Sequence, residues 1–176
     1  MAASGRDERA WVRGAQTGSV SDLEALFRAH WPRAYRAAYL VVHDAAAAED
    51  IAQEAFLAAV RALDRFDRRR PFAPWLHRIA VNRAIDWARA RELRREVELV
   101  ETVGGAQVRE PAENAKPLAA GLASLSPEHR AVIVMRYLLE YSPGEIAQLL
   151  DLPRGTVNSR LRRGLDRLGE HLEAES

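Results

Sequence analysis

The sequence predicts an all-α protein: two small helical domains joined by a flexible acidic linker, the second containing a helix-turn-helix. Three observations lead there. Alanine is abundant and alternating β-branched runs are missing, so helix is favoured over strand throughout. Apolar residues recur at helical spacing to about residue 95, lose that spacing from Val97 to Lys116 and regain it near Leu118. The intervening stretch has Gly104, Gly105, Pro111 and Pro117 among dispersed glutamates and lacks the apolar spacing needed to bury itself. The expected division is 1–96, a linker at 97–117, and 118–176. At 176 residues and 48% apolar composition, each part can hold a core of ordinary size.

The elements follow in order. A short helix is expected near Glu8 to Gln16. Ser21 and Glu24 have the S-x-x-E spacing of a capping box, which opens a helix reaching about His43 with a kink or restart at Pro32. His43-Asp44 then ends that helix and caps the next, Ala46 to Phe66. Another helix begins at Pro74, a favourable first-turn position, and continues through Arg95. In the second half a Ser126 cap precedes a helix from Pro127 to Leu138. Ser142 and Glu145 form a further capping box ahead of the stripe Ile146, Leu149 and Leu150, and Asp151-Leu152-Pro153 stops that helix.

The last helix carries the clearest chemistry. At 100° per residue Val157, Leu161, Leu165 and Leu168 fall within about 80° of one another and define its buried side. Ser159, Arg162 and Arg163 lie opposite, with Asn158 and Arg160 on the shoulders. Hydroxyl, amide and guanidinium groups so grouped suit base edges and phosphates in a major groove. A solvated αα-hairpin is the plainer alternative, because 25 of the 26 basic residues are arginine and only Lys116 is lysine. The cap, the short turn, the Gly155-Thr156-Val157 start and the one-sided basic face occur together, which favours DNA.

A net charge of +1 conceals a segregation along the chain. Residues 61–95 hold eleven arginines against Asp64, Asp67, Asp86 and Glu92, a net of +7. Residues 21–60 and 96–122 are each −3. Two basic surfaces separated by acidic ones point to two DNA contacts and a further partner. On the Ala46–Phe66 helix, Ala52, Phe56, Ala59, Val60 and Leu63 share one side, while Asp50, Glu54, Leu57 and Arg61 share the other. An exposed leucine within an acidic stripe fits a protein-binding face; a solvated face with Leu57 under a neighbouring loop is equally open. Arg78, Asn82 and Arg89 share a face of the next helix, which succeeds the basic loop Asp64-Arg65-Phe66-Asp67-Arg68-Arg69-Arg70. Such a surface can hold a single strand, its arginines on phosphates while an amide and loop backbone read an unstacked base. Trp75 and Trp87 are expected in the core.

Other chemistries find little support. With no cysteine there is no disulfide, thiolate metal site or cysteine nucleophile. The N-terminus has no apolar signal region, and the run near Tyr39-Leu-Val-Val42 is too short to span a bilayer, so a soluble cytoplasmic protein without membrane contact is expected. His43-Asp44 is similar to the His-Asp pair of helical metal-dependent phosphohydrolases, but His30, His43, His77, His129 and His171 contain no i, i+4 pair. No catalytic residue, metal or cofactor is expected.

Three blocks together resemble extracytoplasmic function sigma factors of the sigma-seventy family. They are Ala48-Glu-Asp-Ile-Ala-Gln-Glu54-Ala-Phe-Leu57, Pro71-Phe-Ala-Pro-Trp75-Leu-His-Arg-Ile-Ala-Val-Asn82, and Leu125-Ser-Pro-Glu-His-Arg130 running into Glu145-Ile-Ala and Pro153-Arg-Gly-Thr-Val-Asn-Ser-Arg160. The resemblance covers about residues 8 to 170 and keeps the family's order, which a stand-alone helix-turn-helix regulator would not explain. It implies that the first domain docks on core RNA polymerase through Asp50, Gln53, Glu54 and Leu57. It also implies −10 capture by Asp64, Arg65, Phe66, Arg68, Arg69, Arg70, Arg78, Asn82 and Arg89. The −35 promoter DNA would be read by Arg154, Thr156, Asn158, Ser159, Arg160, Arg162, Arg163 and Arg167, and an anti-sigma factor would be a further partner. Two positions depart from the family: Asn158 stands where a basic residue is common, and Gly164 where alanine is usual, weakening the helix by up to about 1 kcal/mol unless packing uses the space.

Overall fold

The computed structural model describes residues 5–98 and 116–174, and all regular structure among them is helical. Eight α-helices run in order: α1 Gly5–Gln16, α2 Val20–Val42, α3 Ala45–Arg61, α4 Phe72–Glu98, α5 Lys116–Ala123, α6 Pro127–Tyr137, α7 Pro143–Leu150 and α8 Arg154–Ala174. A 3-10 turn, Leu63–Arg65, follows α3. Most of the expected linker lies outside the described residues; α4 and α5 reach its two margins.

Local chemistry explains where the helices begin. Gly18 takes φ 91°, which glycine tolerates, and Ser19 then caps α2 by accepting from the Asp22 N–H at 3.3 Å. The expected capping box at Ser21 and Glu24 is therefore corrected: the helix is already under way at Val20, and Glu24 instead pairs with Arg28. The helix runs unbroken through the exposed Pro32. His43 adopts the left-handed conformation that ends α2, and Asp44 caps α3 by accepting from Ala47 N–H at 3.0 Å, as the sequence suggested. That bond and the Arg91 guanidinium hold the Asp44 carboxyl below its ordinary range. The third helix stops at Arg61 and not Phe66, its continuation tightening into the 3-10 turn. The fourth starts two residues before Pro74, because Glu8 on α1 accepts the Phe72 N–H at 2.7 Å and supplies a cap from another element. Ser126 makes no side-chain cap bond; its hydroxyl lies 2.6 Å from His129 Nδ1.

The small side chains of α2 and α3 let these helices approach closely: Ala37, Ala38, Ala48, Ala52, Ala55 and Ala59 are all inaccessible. One core cluster, built on Leu26, Phe56, Phe72 and Leu76, ties α1 to the first halves of α2 and α4. The other continues from Val41, Ile51 and Val81 into Val132, Met135, Ile146 and Val157, so it crosses from the first half of the chain to the second. Each such side chain removed from water contributes about 1.5–3 kcal/mol.

Polar contacts reinforce that junction. Arg130 on α6, 6% exposed, donates to Leu125 O at 2.9 Å and Val41 O at 2.5 Å, and its other nitrogen meets Glu92 at 3.1 Å. Val41 O belongs to the last turn of α2, where carbonyls lack intrahelical partners and no basic residue of α2 is present. Arg130 is thus a C-cap delivered from the other half. Tyr141 and buried His77 meet at 2.7 Å, Arg33 and Glu140 at 3.0 Å.

Candidate nucleic-acid interface

The helix-turn-helix is built from α7 and α8. Ser142 and Glu145 form the expected reciprocal cap: Glu145 accepts from Ser142 N–H at 2.8 Å and donates its own N–H to Ser142 Oγ at 3.3 Å. Those bonds to Ser142 hold the Glu145 carboxyl low. Asp151 ends α7 at φ 54°, and Pro153 O accepts from Thr156 and Val157 to start α8.

On α8 the buried side is Val157, Leu161, Gly164 and Leu168. Leu165 is corrected: it is 37% exposed, because Gly164 occupies the middle of the buried arc and leaves Leu165 at its margin. A Cβ on Gly164 would stand 2.8 Å from Ile133 Cδ1 and 3.4 Å from His129 Cβ, so packing uses the missing side chain to bring α6 close. Arg154, Asn158, Arg162, Arg163 and Arg167 are exposed, while Thr156, Ser159 and Arg160 are half-buried. None of these arginines has an ion-pair partner among the described residues, and their field is felt inward: burial, then Arg167, Arg160 and Arg163, push His129 below its usual range. The exposed face also carries Asp166, yet among the described residues no carboxylate pairs with these arginines, so the face stays predominantly positive.

A second basic surface lies on α4. Arg78 is exposed, and half-buried Asn82, one turn on, has an amide with no hydrogen bond among the described residues. Arg89 is exposed on the same helix but paired with Glu128 at the start of α6. The preceding loop is pinned, not loose. Gln16 donates to Leu63 O at 2.8 Å and Phe66 O at 3.0 Å, and Asp67 accepts from Arg69 through both backbone and guanidinium. Those Arg69 bonds hold the Asp67 carboxyl low. Phe66 stacks on Trp75 at 4.6 Å and meets Phe72 edge-on, so its ring anchors the loop. Asp64, Arg65, Arg68, Arg69 and Arg70 face solvent. Trp87 is half-buried against the core, with Arg91 5.1 Å from its ring.

The acidic face of α3 is also exposed. Asp50, Gln53 and Glu54 are open, and Leu57 is 44% exposed, so no loop among the described residues covers it. Glu54 is shared with Arg83 of α4 at 2.8 Å. Sequence reasoning missed the residues that brace these surfaces: Glu8, Gln16 and Arg130. Their partners lie 64, 47 and 89 positions away, which no local pattern signals.

Comparison with known proteins agrees with this layout. Sigma-70 region 2 matches residues 26–94, which span α2 from Leu26 to α4. Sigma-70 region 4 matches residues 116–168, which include the helix-turn-helix. The chain is 34% identical over 178 residues to the ECF RNA polymerase sigma factor SigW of Bacillus subtilis, covering 92% of each chain. It is 36% identical over 156 residues to SigL of Mycobacterium tuberculosis, covering 85% of this chain and 88% of that one. The solved structure of CnrH with the cytosolic domain of CnrY superposes with a TM-score of 0.74 at 28% identity, covering 97% and 99% of the two chains. With both regions present in order and relatives aligned along nearly its whole length, the chain belongs to the extracytoplasmic function sigma factors of the sigma-70 family.

Proposed function

We propose that this chain directs promoter-specific initiation in the cytoplasm by binding core RNA polymerase and two promoter elements, without chemistry of its own. Asp50, Gln53, Glu54 and Leu57 form the polymerase face. Asn82, Arg78, Arg89 and the 64–70 loop receive the unstacked −10 strand, with Phe66 acting as an anchor under that loop. The exposed edge of α8, from Arg154 to Arg167, reads the −35 duplex. The observation that carries the reading is the set of solvent-facing arginines on α8 without internal carboxylate partners, on a chain that also bears a separate basic loop ahead of α4.

The reading requires residues 1–96 and 118–176 to act as separable units. Elements centred 25 base pairs apart lie about 85 Å apart at about 3.4 Å per base pair. A compact chain of this length has a radius of gyration of about 16 Å, hence a diameter of roughly 40 Å. The packed arrangement cannot touch both elements, so α6 and α7 must leave α2 and α4 on the promoter, which also frees Arg89 from Glu128. The packed form is then the state available to an anti-sigma partner. CnrH, the structural relative, is solved with the cytosolic domain of CnrY.

Run-off transcription with core polymerase, followed by sequencing of the starts, tests the proposal. Core enzyme alone should give no defined start, and added chain should give a discrete set. Asn82→Ala should impair opening more than −35 binding. Either Arg162→Ala or Arg163→Ala should lose about 1–3 kcal/mol of base discrimination on matched against mismatched −35 duplexes. Tight duplex binding without polymerase and no effect on starts would instead identify a stand-alone regulator.

A further inference from the structure

Four guanidinium groups converge where α1 packs beside the loop before α4. Arg9 and Arg13, one turn apart on α1, line a cleft of about 370 Å³ together with Arg68 and Arg69. The volume equals roughly a dozen waters at about 30 Å³ each, and the cleft is open to solvent. Like charges at i, i+4 on a helix are unfavourable by a few tenths of a kcal/mol, and the loop adds two more positive charges. Among the described residues one local carboxylate, Asp67, meets the set, and it offsets Arg69 only. Glu8 is turned inward, to Phe72 N–H at 2.7 Å and His30 at 3.1 Å, and Asp67 is engaged with Arg69 alone. Arg9, Arg13 and Arg68 are exposed and have no carboxylate partner among the described residues.

Val12, Leu63 and Phe72 in the core hold α1 beside the loop without using the four guanidinium groups, whose shared chemistry is that of a phosphate clamp. The lining offers guanidinium forks and no amide, hydroxyl or aromatic face to recognise a base or sugar, so it suits a repeating backbone over a nucleotide headgroup. We infer that the Arg9–Arg13–Arg68–Arg69 cleft binds phosphodiester groups of single-stranded DNA, making α1 part of the strand path. The inference rests on the proposed −10 role of the adjoining loop and α4, and extends it to a helix that the sequence reading left without a function. Gln16, on the same helix, holds the loop through Leu63 O and Phe66 O, so α1 both shapes the loop and continues its charge.

The test uses the full chain bound to core polymerase, with a fluorescein-labelled dT12 strand titrated at 50 to 200 mM salt and core enzyme alone as baseline. Each single-strand phosphate contact contributes about 0.7 to the salt slope, so R9A/R13A should lower the slope by about 1.4. Over that fourfold salt range the wild type should therefore lose about sevenfold more affinity than the variant. Both side chains are exposed, and the thermal midpoint of the variant should match the wild type. An unchanged slope in R9A/R13A beside a reduced slope in R78A overturns the cleft and leaves the α4 reading standing. No binding above the core baseline by the wild type overturns both. If R9A/R13A loses binding of inorganic phosphate, measured by calorimetry, yet keeps the full dT12 slope, the cleft takes a free phosphate and the strand path is wrong.

Discussion

Replacing Arg130 by methionine should open the junction between the two halves of the chain. The guanidinium makes two charge-assisted bonds to carbonyls, at 2.9 and 2.5 Å, and one to a carboxylate at 3.1 Å. Bonds of this type contribute about 1.5–3 kcal/mol each when buried, whereas the contribution of half-exposed Glu92 is reduced by solvent to about 1 kcal/mol or less. Methionine fills most of the volume and recovers part of the loss, but Val41 O is left in the last turn of α2 without a donor. The net cost is about 3 kcal/mol. With a urea dependence of about 2 kcal/mol per molar, the unfolding midpoint falls by about 1.5 M if the halves unfold together. Because the chain has no cysteine, dyes can be placed at Glu24→Cys and Glu170→Cys, and transfer between them should drop in Arg130→Met before global unfolding. A midpoint shift under about 0.3 M with unchanged transfer would refute the view that this arginine joins the halves.

Three further outcomes follow from the same geometry. Gly164→Ala should gain only part of the roughly 1 kcal/mol that helix propensity offers, because its Cβ has to displace the terminal methyl of Ile133, while Gly169→Ala, with open space around it, should gain most of it; equal gains would mean that Ile133 moves at no cost. Burial lowers His77 to about 4, so the folded protein keeps a neutral ring where the unfolded chain binds a proton below about 6.5. That contribution, about 3 kcal/mol, is complete above pH 6.5 and lost as pH falls towards 4; burial lowers His43 to about 4 as well, so urea midpoints from pH 7.5 to 4.5 should drop, and His77→Leu should shrink the drop by about half. Asp50→Lys with Leu57→Asp should abolish capture of core polymerase in a pull-down while helical circular dichroism is kept; undiminished capture would remove α3 from the polymerase interface.

Local sequence patterns determined the helical class, the capping box at Ser142 and Glu145, the His43-Asp44 junction and the basic face of α8. Each depends on residues within four positions of one another, so helix periodicity and backbone hydrogen bonding suffice to specify it. The packing of Trp75 against the core also followed from helical phase, whereas helical phase left the covering of Leu57 open, and packing decided that no loop among the described residues covers it. Ser19, and not Ser21, caps α2 through the local turn at Gly18, a choice between two nearby serines that the S-x-x-E spacing misjudged. Other features required the assembled chain: α4 starts early because Glu8 arrives from another helix. Leu165 lies outside the core because α6 centres on Gly164, a choice of helix approach that the single-helix projection does not contain. Tertiary structure also decided that the two halves share one core, that Arg130 caps a helix 89 positions away, and that Arg9 and Arg13 meet Arg68 and Arg69. Local periodicity records which face of a helix is apolar, whereas the identity of what covers that face depends on contacts between segments distant in sequence.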